Sequence, residues 1–291
     1  MHHHPIRTAV FDIDGTLAMM DKTSGLYTAL PGAIDAVTAC RDAGLDIMAY
    51  TNGTFFPPAH YYPRLADAGF VFEPDHILTP AVVAAHHLKE TGHRRIMALG
   101  TEGTTVPLLE AGLEVLPAAA GQGSVDAVLL GWTRDFGLRE LEALVDAVWN
   151  GALPYTMSDA PYFAGAKGRI LGVSGAVGAM IAQTTEAVPV VLGKPSTLGM
   201  EMIAELTGWP PTETVVIGDD PSLEIRMARK AGAYAIGVTT GLYDKHAFLR
   251  VASDERAHLV LDTLEDLRSQ PWLKQPSPKQ PWPNASKGAR Q

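Results

Sequence analysis

Cysteine, surplus positive charge and long apolar runs are scarce or absent in this 291-residue sequence. The one cysteine, Cys40, excludes an intramolecular disulfide and a cysteine-rich metal cluster, and we expect it to be a buried apolar residue. No apolar run reaches the roughly 18 residues of a membrane span, and the first residues contain no apolar signal-peptide segment. We therefore expect a cytoplasmic protein without a membrane partner. A net charge of −9 argues against a broad nucleic-acid-binding face, so we expect no nucleic-acid partner either.

Short apolar runs alternate with segments that have helical features along most of the chain. Proline near the start of a segment and glycine just after its end are typical of helices. The alternation predicts an α/β fold with parallel sheets. The clearest apolar runs, each predicted to be a strand, cover residues 8–13, 45–50, 125–130, 214–217 and 233–238.

The most informative pattern is Asp12-Ile13-Asp14-Gly15-Thr16, at the end of the first predicted strand. In open α/β sheets, ligands collect beyond the carboxyl ends of the strands. Two carboxylates two residues apart can reach one site if the chain turns between them, and Gly15 permits such a turn. The pattern therefore indicates either a metal site or a nucleophile with an acid–base partner. For a metal site the expected ion is Mg²⁺, a hard cation that binds oxygen ligands.

Three further polar patterns follow predicted strands. Thr51-Asn52-Gly53 offers a hydroxyl and backbone N–H groups to phosphate oxygens, and Gly193-Lys194-Pro195 offers a positive charge. Gly218-Asp219-Asp220 is a second carboxylate pair and a second candidate metal site. Each pattern is weak alone, but all of them lie at or near the ends of predicted strands.

In this order, the four patterns resemble the four motifs of the haloacid dehalogenase-like (HAD-like) hydrolase superfamily, over residues 6–267. About 35 residues separate Asp14 from Thr51, and about 140 separate Thr51 from Lys194, so only the second gap has room for an inserted cap domain. This spacing is similar to that of the type IIA, p-nitrophenylphosphatase-like branch. The resemblance implies a Rossmann-like core with a parallel sheet, formed by residues 1–79 and 188–267, and an inserted α/β cap at 80–187.

Residues 268–291 differ from the rest of the chain in composition. They contain five prolines and five basic residues but no acidic residue. We expect them to form a disordered tail. The sheet of the cap could offer a surface for a homodimer.

The resemblance also implies a catalytic scheme. Asp12 would be the nucleophile that forms an aspartyl-phosphate, and Asp14 would be the general acid and base. Thr51 and Lys194 would neutralise the phosphate oxygens. Mg²⁺ would be bound by Asp12, by the backbone carbonyl of Asp14 and by Asp219.

Substrate binding is expected from two parts of the chain. Asn52 and Gly53 would help to surround the phosphate group. The cap segment 158–167, with Asp159 and Tyr162, would contact the leaving group. The partner implied by this scheme is a small-molecule phosphate monoester.

Two positions depart from the family pattern. The fourth motif often ends in aspartate where this chain has Glu224, so either Glu224 or Asp220 could take that place. The cap often reads Thr-Asn-x-Asp where this chain has Thr156-Met157-Ser158-Asp159, which leaves the substrate open. Other readings stay open as well: a phosphotransferase, a phosphonate or C–halogen hydrolase, and a non-catalytic phosphate-binding or receiver-like protein. The acid at Asp14 argues against C–halogen chemistry, because only an oxygen leaving group needs a proton.

Overall fold

A computed structural model describes residues 5–21, 24–165 and 168–274, and the chain divides into two compact units. The first unit consists of the residues up to Thr51, Tyr62–Leu78 and the residues from Gly199 onward. The second consists of Asn52–Tyr61 and Thr79–Leu198. It contains the whole predicted cap, 80–187, and extends beyond it on both sides.

A six-stranded parallel sheet forms the centre of the first unit. Its strands are β1 Thr8–Phe11, β4 Asp46–Tyr50, β5 Ile77–Leu78, β13 Thr214–Gly218, β14 Tyr234–Val238 and β15 Leu259–Leu261. Their order across the sheet is β15-β14-β13-β1-β4-β5. The central strands β1 and β13 are buried along their whole length, which explains why their sequences are continuous apolar runs rather than alternating ones. The predicted α/β fold with parallel sheets is confirmed.

The helices of the first unit are α1 Ala33–Asp42, α8 Arg226–Ala231, α9 Lys245–Arg250 and, except for its first residue, α7 Leu198–Thr207. Helix α2 Pro58–Asp67 is divided between the two units after Tyr61. Cys40 lies fully buried in α1, and burial raises the pKa of its thiol to about 12, which confirms its expected place in the core. The short antiparallel pair β2 Ala18–Met20 and β3 Tyr27–Ala29 was not predicted. Strands of three residues are too short to produce a readable apolar pattern.

The second unit has a parallel sheet of its own. Its strands are β6 Arg95–Leu99, β7 Glu114–Pro117, β8 Ala127–Leu130, β9 Leu153–Thr156 and β12 Val190–Val191. They are arranged in the order β12-β9-β8-β6-β7. The helices of this unit are α3 Pro80–Glu90, α4 Glu102–Glu110, α5 Leu138–Trp149 and α6 Val173–Thr185.

Alternate residues of β8 enter two different apolar clusters of the second unit. Val128 and Leu130 pack in the cluster that includes the buried residues of α5 and α6. Leu129 packs in the cluster that includes buried residues of α3 and α4. The strand is therefore apolar on both faces, as its unbroken run of apolar residues predicts. An antiparallel hairpin, β10 Tyr162–Gly165 and β11 Gly168–Leu171, lies between β9 and α6 in the chain.

The described part of the predicted tail is ordered. Residues 268 and 269 end the 3-10 helix Leu264–Ser269, and a second 3-10 helix covers Pro271–Lys274. Leu267 is fully buried, and the Arg268 guanidinium lies 2.9 Å from the carboxylate of Asp35 on α1. The described residues 268–274 are therefore mostly helical rather than disordered, and the first of the two 3-10 helices packs against α1. Residues 275–291 lie outside the described residues. Over the ranges that the structure describes, no helix is both long and apolar enough to span a membrane.

Candidate active site

Asp12 lies at the carboxyl edge of the first sheet, directly after β1. Phe11 is paired with Ile217 of β13 on one side and with Ala49 of β4 on the other. The N–H of Asp12 continues this pairing by donating to the carbonyl of Ile217 at 2.9 Å. The Asp12 side chain is only 6% exposed, so the strand pairing holds a carboxylate inside the sheet edge.

The chain turns sharply after Asp12. The N–H groups of Leu17 and Ala18 both donate to the carbonyl of Ile13 at 3.0 Å, and Gly15 has a φ of +94°. Only glycine adopts such a conformation without strain. The turn leaves Asp14 exposed while Asp12 is buried, so the two carboxylates of the motif have different environments.

Asp219 follows the neighbouring strand β13 and lies against the Asp12–Gly15 turn. A Cβ atom at Gly15 would be 2.6 Å from Oδ2 of Asp219, and one at Gly241 would overlap the same carboxylate. The N–H of Leu242 donates to Asp219 Oδ2 at 3.4 Å, and the hydroxyl of Thr240 donates to the carbonyl of Gly15 at 2.6 Å. The loop after β14 thus fixes both the turn and the carboxylate. Sequence reasoning missed these loop residues, although a Thr-Gly pair after a predicted strand was a usable signal.

The two acids that the fourth motif left open, Glu224 and Asp220, have different environments in the structure. Asp220 caps the turn of π-helix Pro221–Ile225, because its Oδ1 accepts hydrogen bonds from the N–H and the hydroxyl of Ser222 at 2.7 and 2.6 Å. Glu224 is 3% exposed, and its Oε2 accepts from the N–H of Asp220 at 3.1 Å. A Cβ at Gly218 would collide with the Glu224 side chain, so Gly218 makes room for the longer acid. Glu224, rather than Asp220, is therefore the buried carboxylate beside the Asp219 segment.

Thr51 lies on the other side of the Asp12 turn. It directly follows β4, is 3% exposed, and its N–H donates to the carbonyl of Leu78 at 3.1 Å. Because β13, β1 and β4 are neighbours in the sheet, the structure brings Asp219, the Asp12 turn and Thr51 to three adjacent strand ends. These residues therefore follow neighbouring strands at one edge of the first sheet.

This edge of the first sheet suits a hard divalent cation. Asp12 and Asp219 are buried carboxylates that follow adjacent strands, and the Gly15 turn lies against the Asp219 carboxylate. Within the described residues, no three His, Cys, Asp or Glu side chains are grouped so that they could bind one metal ion. A donor set of few carboxylates, with room for carbonyl and water ligands, is one that Mg²⁺ accepts. The residues present therefore fit the predicted metal.

Lys194 and Asn52 belong to the second unit, where they bind each other. Lys194 is 1% exposed and follows Gly193 after β12. The Asn52 side chain is hydrogen-bonded to the backbone of Lys194, both as acceptor and as donor. Gly53 follows Asn52 in the same unit and is half-buried.

The predicted specificity segment also belongs to the second unit. Asp159 and Tyr162 are both exposed, and Tyr162 begins β10. Gly172 and Gly175, at the start of α6, pack against the backbone of this segment, because a Cβ at either position would overlap or crowd the carbonyl oxygen of Ala160. The N–H of Gly172 also donates to the carbonyl of Pro161 at 3.0 Å. Residues 166 and 167 of the segment lie outside the described residues.

An aromatic group near the strand ends of the second sheet was missed by sequence reasoning. The rings of Phe55 and Trp132 are 4.3 Å apart, and the Arg134 guanidinium lies 5.5 Å from the Trp132 ring. The Thr101 hydroxyl donates to the carbonyl of Phe55 at 3.0 Å. These residues are far apart in the chain and follow no common motif, so only the fold brings them together.

Comparison with protein families agrees with this geometry. The family model for haloacid dehalogenase-like hydrolases matches residues 9–114, and a second HAD-hydrolase-like model matches residues 191–267. The chain belongs to the HAD-like hydrolases. The two matches contain all four strand-end motifs of this HAD-like hydrolase, and the unmatched stretch between them lies in its second unit.

Relatives of this HAD-like hydrolase extend over most of its length. It is 27% identical to the dihydroxyacetone phosphatase of Corynebacterium glutamicum over 260 residues, which cover 88% of each chain. Its fold matches the glycerol phosphate phosphatase of Mycobacterium tuberculosis, solved with magnesium, at a TM-score of 0.78 and 22% identity, covering 90% of this chain and 76% of that one. It also matches the 4-nitrophenylphosphatase of Thermotoga maritima at a TM-score of 0.80 and 22% identity, covering 91% and 97%. The fold is that of the type IIA branch.

Proposed function

We propose that this HAD-like hydrolase is a Mg²⁺-dependent phosphatase that hydrolyses small phosphate monoesters through an aspartyl-phosphate. The observation that carries the proposal is the meeting of Asp12, Asp14, Thr51 and Asp219 at three adjacent strand ends. The relatives support the reaction class, since their names include dihydroxyacetone phosphatase, acid sugar phosphatase and glycerol phosphate phosphatase. They also make triose, glycerol and sugar phosphates the first compounds to test.

Two aspartates divide the chemistry. An oxygen of the Asp12 carboxylate forms a bond to phosphorus while the bond from phosphorus to the leaving oxygen breaks, and Asp14 donates a proton to that oxygen. Water then attacks phosphorus, Asp14 takes up a proton from the water, and the carboxylate of Asp12 is released together with inorganic phosphate. Asp14 is exposed and can exchange its proton, whereas Asp12 is held still by the strand pairing.

The metal would be held by Asp12, the backbone carbonyl of Asp14, and Asp219. When bound, Mg²⁺ supplies positive charge that reduces the repulsion between the Asp12 carboxylate and the phosphate group. The contacts of Asp219 with Gly15, Gly241 and Leu242 keep its carboxylate at the turn before any metal arrives.

The remaining predicted residues bind the substrate in this proposal. The Thr51 hydroxyl, the backbone N–H groups of Asn52 and Gly53, and the Lys194 ammonium neutralise the phosphate oxygens. The exposed side chains of Asp159 and Tyr162 contact the leaving group. Their anchored segment supports this role, because a contact that selects substrates must be held in place.

The test is phosphate release from p-nitrophenyl phosphate with added Mg²⁺, with a chelator, and with Mg²⁺ restored. We expect activity that disappears with the chelator and returns with the metal. A panel of triose, glycerol, hexose and nucleoside monophosphates then identifies the preferred leaving group. Phosphate binding without release in every arm would instead support the non-catalytic, receiver-like alternative, and transfer to an added alcohol at the expense of release would support a phosphotransferase.

A further inference from the structure

The side chain of Asn52 is engaged with the backbone of one distant residue. Its Oδ1 accepts a hydrogen bond from the N–H of Lys194 at 2.9 Å. Its Nδ2 donates to the carbonyl oxygen of Lys194, also at 2.9 Å. The two residues lie 142 positions apart in the chain, and both belong to the second unit. The amide thus pairs with Lys194 much as a neighbouring strand would.

The backbone before Lys194 is held as well. The N–H of Gly193 donates to the carbonyl of Met157 at 3.1 Å. A Cβ at Gly193 would overlap that carbonyl and would be 2.9 Å from Asn52 Oδ1, so only glycine allows this approach. The backbone of Lys194 is therefore held by Asn52, and the backbone of the preceding Gly193 is held by Met157. This matters because the Lys194 side chain is buried along its whole length, and a shift of the backbone would move the ammonium group with it.

We propose that Asn52 is a positioning residue that acts through Lys194, and that its side chain does not bind the substrate itself. The proposal rests on the function given above, in which the Lys194 ammonium neutralises phosphate oxygens. Asparagine suits the task because it presents one acceptor and one donor at the same short reach. Aspartate lacks the donor, and glutamine is one methylene longer.

A double-mutant cycle tests the proposal by activity. The variants are Asn52→Ala, Lys194→Ala and both together, with kcat/KM measured on p-nitrophenyl phosphate. We expect a loss of about tenfold or more for Asn52→Ala, since two hydrogen bonds to Lys194 are removed, and of about a hundredfold for Lys194→Ala. The double variant should match Lys194→Ala within about twofold, because the positioning residue then has nothing left to position.

The matched control is Asn150→Ala. Asn150 is an exposed asparagine of the same unit whose Nδ2 donates to the carbonyl of Asp146 at 2.7 Å, so this variant also removes an amide that binds backbone. It should keep the wild-type kcat/KM. Losses that multiply in the Asn52 and Lys194 double variant would overturn the proposal and would assign the Asn52 amide to the substrate.

Hydrogen exchange at the Lys194 amide tests the same pair without activity. The amide should be protected in the wild type and should lose most of its protection in Asn52→Ala. Asn52→Asp keeps the acceptor and should retain it, which also supplies a usable variant if Asn52→Ala does not fold. Unchanged exchange in Asn52→Ala would contradict the proposal. If the wild type proved to have no phosphatase activity, the proposed function would fail, and the exchange experiment would still decide whether Asn52 fixes Lys194.

Discussion

The two parallel sheets of this protein share an architecture but bury opposite charges. All carboxylates that are buried among the described side chains, those of Asp12, Asp219 and Glu224, belong to the first unit. Lys194, the lysine that is buried among the described residues, belongs to the second unit. In both sheets these residues follow or adjoin strand ends, so the difference comes from which residues follow the strands and not from the fold. Chemistry in such folds is a property of the strand-end segments.

The opposite, amino edges of the two sheets also differ. Asp46 begins β4 in the first unit, and burial raises the pKa of its carboxyl although the Trp209 indole N–H donates to it at 3.1 Å. Asp126 precedes β8 in the second unit, where the backbone N–H groups of Arg95 and Arg94 lower its pKa from distances of 2.8 and 2.7 Å. The surroundings of an aspartate at the start of a strand can therefore stabilise or destabilise its charged form, depending on how much solvent and how many hydrogen-bond donors surround the carboxylate.

The sharpest test of this comparison is Asp12→Asn. If the chemistry belongs to the first sheet, turnover of p-nitrophenyl phosphate should fall by at least about a thousandfold, because an amide is a poor nucleophile and a poor metal ligand. Asp67→Asn, at an exposed position in the same unit, is the control and should be fully active. An Asp12→Asn enzyme that retained a tenth of wild-type turnover would remove Asp12 from the role of nucleophile.

Gly15→Ala tests whether the turn keeps Asp219 in place. The new methyl group would lie 2.6 Å from the Asp219 carboxylate, so we expect Mg²⁺ affinity, measured by calorimetry, to fall by about tenfold or more. Gly25→Ala is a matched control, because Gly25 also has a positive φ, of +71°, but open space around it. It should show the backbone strain without the loss of metal affinity. Equal Mg²⁺ affinities for the two variants would mean that the turn does not position Asp219.

Asp159→Ala and Tyr162→Ala test whether the second unit recognises the leaving group. Each should lower kcat/KM on the best metabolite by about tenfold, roughly 1.4 kcal/mol, and should affect p-nitrophenyl phosphate less, because binding energy from the distant part of a substrate is used in the transition state. The Mg²⁺ dependence should not change. Asp146→Ala, which removes an exposed carboxylate of the same unit, is the control. Equal small losses on every substrate would count against a role for this segment in specificity.

The smallest expected effects concern the two amino-edge aspartates. A lowered pKa means that the Asp126 charge stabilises the fold above its unfolded pKa of about 3.9, and that this stability is lost as the pH falls through the folded pKa. Asp126→Asn should therefore lower the Tm by about 1–3 °C at pH 7 and have no effect in strong acid.

Asp46→Asn should have the opposite sign. Because the pKa of Asp46 is raised in the folded protein, its charge opposes folding at neutral pH, and this opposition disappears below the unfolded pKa. The variant keeps an oxygen for Trp209 and should melt at or slightly above the wild-type temperature at pH 7. Thermal melts of both variants across the acid range check the pair, and shifts of the same sign would show that the two environments do not differ as described.

Sequence patterns were most informative for site residues that directly follow a strand. Sequence alone could place Asp12, Thr51 and Asp219 after strands, and the strand order of the structure makes those three strands neighbours. Helix α4 could not be predicted, because Gly103 and Pro107 interrupt its helical pattern. The pairing of Asn52 with Lys194 could not be predicted for another reason. It joins a side chain to backbone atoms, which every residue has, so no residue type marks the partner.

Glu224 shows a third limit. The extra methylene of glutamate could be read, but its consequence depends on the space that Gly218 leaves and on the N–H of Asp220 that binds the carboxylate. Neither follows from a motif. Sequence reasoning left Glu224 and Asp220 open, and the structure adds that Glu224 is buried whereas Asp220 caps the π-helix.

The glycines at the start of α6 have a consequence for how this protein can change. Gly172 and Gly175 hold the segment before the β10–β11 hairpin through its main chain, at the carbonyls of Ala160 and Pro161. Because these contacts involve only backbone atoms of the segment, they do not depend on which side chains it carries. Asp159 and Tyr162 can therefore be exchanged, by mutation over generations or by a protein engineer, without losing the support beneath them. If Asp159 and Tyr162 contact the leaving group as proposed, substitutions at these exposed positions would change the preferred substrate without a change in the backbone.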